Sequence, residues 1–189
     1  MEKILVIGSG GAGKSTFSRR LGALLSIDVI HLDALYWQPG WIEPSKTEWT
    51  ATIEPLLDRD TWVMDGNYSG TLPQRLLACD TVIFLDRHRL ICLWRVVKRA
   101  PIHFGTVRPD MAAGCPEKLE LPFLQWIWNY PTRSRPKILK LLAEHQHNKS
   151  VIRLQTNGQI TNFFARLHRL KSNATDCPLH LSEAENRVL

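Results

Sequence analysis

Five short apolar runs punctuate the chain, with helical patterns between them. Residues 3–7, 26–32, 61–65, 81–85 and 150–154 are rich in branched aliphatic side chains and too short for helices, as buried strands are. Phe17, Leu21, Leu24 and Leu25 recur at helical spacing after the first run and predict a helix over 14–25. A second helix is predicted over 46–58. Ser45 and Glu48 have capping-box spacing, and Trp49, Ile53, Leu56 and Leu57 face inward. Pro55 is expected to kink or shorten it. Further helices are predicted over 72–77, 90–99, 119–128, 131–147 and 160–170. Residues 34–45 read as a loop around the Pro39-Gly40 turn. Residues 100–118, broken by Pro101, Gly105, Pro109, Gly114 and Pro116, read as the mobile segment. Strands alternating with helices give a parallel α/β sheet covered on both faces, whose ligands bind beyond the carboxyl ends of the strands.

The most specific motif falls at that edge. Gly8-Ser9-Gly10-Gly11-Ala12-Gly13-Lys14-Ser15 fits G-x-x-x-x-G-K-[ST], with an apolar strand before it and a helix after it. In such a loop successive backbone N–H groups turn inward around an anion, and the helix N-terminus adds its positive dipole end. Lys14 is expected to reach the β- and γ-phosphates of a nucleotide, and the Ser15 hydroxyl to sit on Mg²⁺. Thr16 completes the nucleotide-binding stretch.

Three aspartates end predicted strands at the same edge. Asp65 is preferred as the carboxylate on the magnesium side, with Asp86 as its rival. Asp33 suits the carboxylate that orients an acceptor hydroxyl and takes its proton. His31, one residue before Leu32 on the same predicted strand, is expected to be structural. Tyr36, Trp37 and Trp41 crowd the Pro-Gly loop beside Asp33 and are candidates to stack on a substrate ring. Asn67 and Tyr68, just past the third strand, are expected on the same substrate side. Arg95 and Arg99 share a helix face, and Arg133 and Arg135 open a later helix. All four are candidates to neutralise a transferring phosphoryl group. Arg87, Arg89 and Arg108 are further candidates.

Composition narrows the setting. The 189 residues suit one domain, expected over 1–172, with a lid insertion at about 95–135 and a polar, aperiodic tail over 173–189. No apolar run reaches the roughly 18 residues of a membrane span. The N-terminus enters a strand with no signal-peptide core, so a cytoplasmic location is expected. Cys79, Cys92, Cys115 and Cys177 have no metal-ligand spacing. The first two sit in core patterns, and Cys115 is expected in an exposed loop. A net charge of +6 fits either a nucleic-acid surface or a phosphate-rich small ligand. The arginines gather between Arg87 and Arg135 rather than along one helix face, which favours a phosphate-handling enzyme with a basic lid. No helix-turn-helix or other DNA-reading motif is present.

Longer stretches carry a resemblance. Besides the glycine loop they are His31-Leu32-Asp33-Ala34-Leu35-Tyr36-Trp37, Pro39-Gly40-Trp41, Asp65-Gly66-Asn67-Tyr68-Ser69-Gly70-Thr71 and Phe84-Leu85-Asp86. Leu93-Trp94-Arg95-Val96-Val97-Lys98-Arg99, Arg108-Pro109-Asp110-Met111, Gly114-Cys115-Pro116-Glu117 and Trp126-Ile127-Trp128-Asn129 complete the set. Across most of residues 3–155 the chain resembles the bacterial DNA topology modulation proteins, a group similar to adenylate kinase-like P-loop kinases. The resemblance implies a five-stranded parallel sheet in the order 2-3-1-4-5, a helical substrate-binding segment and an arginine-bearing lid. Asp65-Gly66 is similar to the Asp-Gly after the third strand of adenylate kinases, which implies Asp65 near magnesium. Arg95 and Arg99 are similar to the paired arginines at the start of the lid. Gly66-Asn67-Tyr68-Ser69 departs from the Gly-Phe-Pro-Arg of adenylate kinases and lacks the arginine that grips an AMP phosphate. His31-Leu32-Asp33 is closer to kinases of small hydroxylated metabolites, such as shikimate or gluconate kinases.

The expectation is therefore a kinase using ATP and Mg²⁺ to phosphorylate a small molecule. Its rivals are a nucleotide-binding regulator of DNA topology and a nucleoside triphosphatase.

Overall fold

The computed structural model describes residues 1–145 and 149–175. Its contacts divide the chain into two units, Met1–Thr156 and Asn157–Leu189.

The first unit is built on five parallel strands: β1 (Lys3–Gly8), β2 (Val29–His31), β3 (Trp62–Asp65), β4 (Thr81–Leu85) and β5 (Ser150–Leu154). Their order is β2-β3-β1-β4-β5, the order the resemblance implies. The register aligns the carboxyl ends. Val6 and His31 both pair with Asp65, and Gly8 and Leu154 both pair with Leu85. From Ile4 to Gly8 strand β1 is buried, and β4 is buried throughout, as expected for central strands covered on both faces.

Helices α1 (Lys14–Leu25), α2 (Leu32–Tyr36), α3 (Lys46–Leu57), α4 (Leu72–Ala78), α5 (Arg89–His103), α6 (Leu121–Arg133) and α7 (Arg135–His145) flank the sheet. The capping box that opens α3 is complete. Ser45 Oγ accepts from Glu48 N, and Glu48 returns the bond to Ser45 N. Trp49 and Ile53 join the main core with Trp62, Met64, Leu76 and Phe84.

Several boundaries differ from the sequence pattern. Strand β2 starts at Val29 because Ser26 takes a left-handed conformation, with φ 59°, to cap α1. Asp33 ends no strand; it lies in α2, a helix of 5 residues that starts at the last residue of the expected strand and runs into the expected loop. Helix α5 runs through Pro101 to His103, and α6 runs from Leu121 through Pro131 to Arg133. Helix α7 therefore starts at Arg135 rather than Pro131, and the end expected for it at 147 lies outside the described residues.

Cys115 is buried rather than exposed. Its Sγ donates to the Gln38 carbonyl at 3.1 Å, because the loop between α5 and α6 docks on residues 38–41. Gly40 N donates to Gly114 O at 3.0 Å, and Trp41 Nε1 to Pro116 O at 3.2 Å.

The second unit contributes α8 (Asn157–Thr175), which starts before and ends beyond the predicted span. Phe163 and Phe164 meet edge to face within it, 5.4 Å apart. The remainder of the expected tail, Cys177 included, lies outside the described residues. No helix among the described residues is long and apolar enough to cross a membrane.

Candidate functional site

The glycine loop joins β1 to α1 at the carboxyl edge of the sheet. It bends back on itself, with Ala12 N donating to Ser9 O at 3.1 Å. Two glycines are dictated by geometry. Gly11 has φ 74°, and a Cβ there would overlap the Cys92 carbonyl of α5. Gly13 has φ 96° and is the N-cap of α1. Gly10 presses on Phe123 of α6. The loop is thus seated on α5 and α6 as well as on the sheet. Lys14 Nζ crosses it to the Ser9 carbonyl at 3.2 Å. Ser15 and Thr16 follow in the first turn of α1.

One side chain from beyond β3 fixes this loop, and a second holds the segment that carries the first. Asn67 grips Gly8 with both ends of its amide: Oδ1 accepts from Gly8 N at 3.0 Å, and Nδ2 donates to Gly8 O at 2.8 Å. The expected substrate-side position of Asn67 is thereby occupied by a clamp on the loop. Arg75, which the sequence pattern did not single out, is fully buried in α4 and faces no carboxylate among the described residues. Its guanidinium donates to Thr71 Oγ1 and to the carbonyls of Gly66, Asn67 and Tyr68. Burial lowers its pKa to about 9, and the four oxygens compensate the buried charge in place of a counterion. Lysine has one nitrogen and no fork for this set. Arg75→Lys is expected to cost about 1–2 kcal/mol of folding free energy, read from denaturant unfolding. An unchanged midpoint would remove Arg75 from this role.

Asp65 ends β3 and is buried. Its Oδ1 meets His31 Nδ1 at 3.0 Å, while its Oδ2 is buried with no hydrogen-bond partner among the described residues. Burial works against a charged His31, but Asp65 and then Asp110 outweigh it and raise its pKa above the ordinary value. The rival carboxylate is differently engaged. Asp86 accepts from Arg135 Nε at 2.9 Å and from Arg153 Nε at 2.7 Å.

Asp33 in α2 accepts from the Tyr68 hydroxyl at 2.6 Å. Tyr68 has φ 33°, and its phenol is pushed up by burial and then by the adjacent Asp33 charge, so it stays the donor. Aromatic rings surround this pair. Tyr36 lies 4.4 Å from Tyr68, 4.9 Å from Trp49 and 5.1 Å from Trp37, and Trp37 lies 5.3 Å from Trp41. Trp49 and Tyr68 are 5.0 Å apart, so the inner rings belong to the core while Trp37 and Trp41 are only partly covered.

The arginines divide. Arg95 Nη1 donates to the Ala12 carbonyl at 3.1 Å, directly on the glycine loop. Arg99 Nε pairs with Glu117 at 3.0 Å, and Arg108 pairs with both Glu117 and Asp110, at 2.7 Å and 3.2 Å. Arg135 is held by Asp86, and Arg133 is exposed in the last turn of α6. Arg89 lies over the Trp128 ring at 4.0 Å.

The residues present fit a magnesium–nucleotide group. The glycine loop, Lys14 and the Ser15 hydroxyl stand at the head of α1. A buried carboxylate oxygen without a partner, Asp65 Oδ2, ends the neighbouring strand.

No protein-family model and no curated protein matches the sequence. Solved structures do match. Shikimate kinase from Acinetobacter baumannii, in complex with shikimate, superposes with a TM-score of 0.56 at 19% identity, over 92% of this chain and 94% of that one. A gluconokinase from Sinorhizobium meliloti 1021 gives a TM-score of 0.49 at 19% identity, over 92% and 95%. The fold is that of the P-loop kinases. At this identity the likeness speaks for the fold alone, so the chemistry rests on the chain's own residues.

Proposed function

We propose that this chain is a kinase that moves the γ-phosphoryl group of ATP to a hydroxyl of a small molecule, with Mg²⁺. The observation that carries the proposal is the buried, unpartnered Asp65 Oδ2 at the sheet edge that also bears the glycine loop. A bound Mg²⁺ would neutralise the charge of the phosphates. Ser15 and Asp65 would hold it, with His31 fixing which Asp65 oxygen turns away. The loop amides and Lys14 bind the phosphates. Arg95, anchored on the Ala12 carbonyl of the loop, is proposed as the cation for the transferring group. Arg99, Arg133 and Arg135 are proposed as supporting cations.

Asp33 orients the acceptor hydroxyl and takes its proton. Tyr68 positions the Asp33 carboxylate, and Trp37, Trp41 and Tyr36 offer ring faces to the acceptor. The internal pairing of Arg99, Arg108, Arg135 and Arg153 with Glu117, Asp110 and Asp86 favours this reading over a DNA-facing basic surface. A panel of hydroxylated metabolites, screened for acceptor-dependent ADP release, tests the proposal.

The loop between α5 and α6, with the helix ends around it, is proposed as the lid over about 95–135. Its hydrogen exchange is expected to slow across 104–120 when a nonhydrolysable ATP analogue binds. Equal protection with and without the analogue would remove the lid from the account.

A further inference from the structure

Two carboxylates stand on the acceptor side, and each is answered by a phenol rather than a cation. Asp33 Oδ1 accepts from the Tyr68 hydroxyl at 2.6 Å, and Glu43 Oε2 accepts from the Tyr36 hydroxyl at 3.2 Å. Among the described residues no ion pair reaches either one. Arg99, Arg108 and Lys118, around the loop that docks on residues 38–41, are engaged by other acids. Arg99 and Arg108 are held by Glu117 and Asp110, and Lys118 by Glu120 at 2.8 Å. A phenol hydroxyl orients a carboxylate but carries no charge to neutralise it.

Ring contacts run without a gap from Asp33 outward. Tyr68 lies 4.4 Å from Tyr36, Tyr36 lies 5.1 Å from Trp37, and Trp37 lies 5.3 Å from Trp41. The backbone is bent to put two of these rings in place. Trp41 has φ 65° and Tyr68 has φ 33°, left-handed conformations that bulky residues rarely adopt. Such strain persists where the surroundings over-determine it, and it gathers at ligand sites. Here Gln38 N donates to Ile42 O at 3.0 Å across the turn, and Gly40 N donates to Gly114 O at 3.0 Å. Trp41 Nε1 donates to Pro116 O at 3.2 Å, so its polar edge is used and its faces are what a ligand can meet. Trp37 and Trp41 stand at 66° to each other, both only partly covered, and form a corner.

The chain itself sets a cation against this corner. Lys118 Nζ lies 5.1 Å from the centre of the Trp41 ring, inside the roughly 6 Å reach of a cation–π contact. Glu120 holds the same ammonium, and no cation of the described residues lies over Trp37. An anionic acceptor would meet two carboxylates without counterions and the negative faces of the rings. A cationic acceptor meets both with the opposite sign.

We propose that the acceptor is a hydroxylated amine bound as its ammonium cation, with the cation in the Trp37–Trp41 corner and the hydroxyl on Asp33. The inference rests on the reading of Asp33 as the acceptor carboxylate of an ATP-dependent kinase, and it names the class of acceptor. In the transfer the acceptor oxygen bonds to the γ-phosphorus of ATP. The bond from that phosphorus to the β,γ-bridging oxygen breaks, and its electron pair leaves on ADP. The hydroxyl proton passes to Asp33 and from there to water. The nitrogen is unchanged, so the product is a phosphate monoester that still bears its ammonium.

The test pairs acceptors that share a shape and differ in charge: choline with 3,3-dimethyl-1-butanol, and glucosamine with glucose. Glycolate supplies an anion. The full chain is assayed with ATP and Mg²⁺ for acceptor-dependent ADP release, and kcat/KM is compared within each pair. The charged member of at least one pair should be favoured by about 10–100-fold, the scale of a desolvated cation on aromatic faces beside a carboxylate. Trp37→Leu should shrink that ratio, mainly through KM; where the variant does not fold, the wild-type ratio decides alone. Equal use of both members, or a preference for the uncharged member or for glycolate, would overturn the amine class and leave the kinase reading standing. Binding is read apart from transfer, by nitrogen-15 NMR of the indole N–H signals of wild type. Choline or glucosamine should shift the Trp37 and Trp41 signals at concentrations where its uncharged partner does not. That shift, with no transfer to any acceptor here or in the metabolite panel, would keep the cation site and overturn the kinase reading. No difference in shift within either pair would overturn the cation site.

Discussion

Asp33→Asn is expected to leave ATP binding intact and to slow phosphoryl transfer by about 10²–10⁴-fold, the range for losing a general base. Transfer of this kind depends more on positioning than on proton removal, which favours the lower end. The substitution keeps the size of the side chain and an oxygen for the Tyr68 hydroxyl, so the 2.6 Å contact can persist. What is lost is the negative charge that holds the acceptor O–H in line. Tyr68→Phe should move the rate in the same direction but less, because Asp33 then loses its orienting partner and keeps its charge. Steady-state rates with an identified acceptor, set beside calorimetric ATP affinities, check both variants. Asp33→Asn turnover within about twofold of wild type, far short of a general-base effect, would remove Asp33 from the chemistry.

Lys14→Ala is expected to weaken ATP binding by about 10–100-fold, the scale of one or two charge-assisted hydrogen bonds to phosphate. Lys14 Nζ rests on the loop's own Ser9 carbonyl. Its removal therefore leaves no buried group stranded, and the unfolding midpoint should hardly change. Calorimetry on the folded variant decides the matter. An affinity equal to wild type would withdraw the nucleotide from this loop.

The strand, glycine loop and first helix were legible because each local signal agreed with the next. The apolar run of β1 ends where Gly8 begins, and the helical spacing of Phe17 and Leu21 starts where the loop stops. The fold class followed from the alternation of strands and helices. Boundaries were lost where a single residue changes conformation against its neighbours. Ser26 continues an apolar run in sequence but turns left-handed to cap α1, and the 5 residues of α2 are too few to show a period. Pro131 looked like a helix start, yet in the last turn of α6 it forfeits only its own N–H bond.

In the site, the motif residues and the three aspartates were visible, and their partners were not. Arg75 answers to backbone carbonyls, which carry no sequence signature. Asn67 reads as a loop amide until its bonds to Gly8 are seen. Cys115 and Asp110 lie in a Pro/Gly-rich segment that looks solvated. Only the docking of that segment on residues 38–41, and the ion pair of Asp110 with Arg108, take them inside.

The central claim is transfer of phosphate from ATP to a small hydroxylated acceptor. The most direct measurement incubates the purified chain with ATP, Mg²⁺ and single members of a panel of hydroxylated metabolites. ADP release and phosphorus NMR of the products are followed together. The account predicts at least one acceptor that raises ADP release above the acceptor-free rate and appears as its phosphate ester, with Asp33→Asn losing the ester. ADP release that no acceptor stimulates, with inorganic phosphate as the sole product, would contradict it.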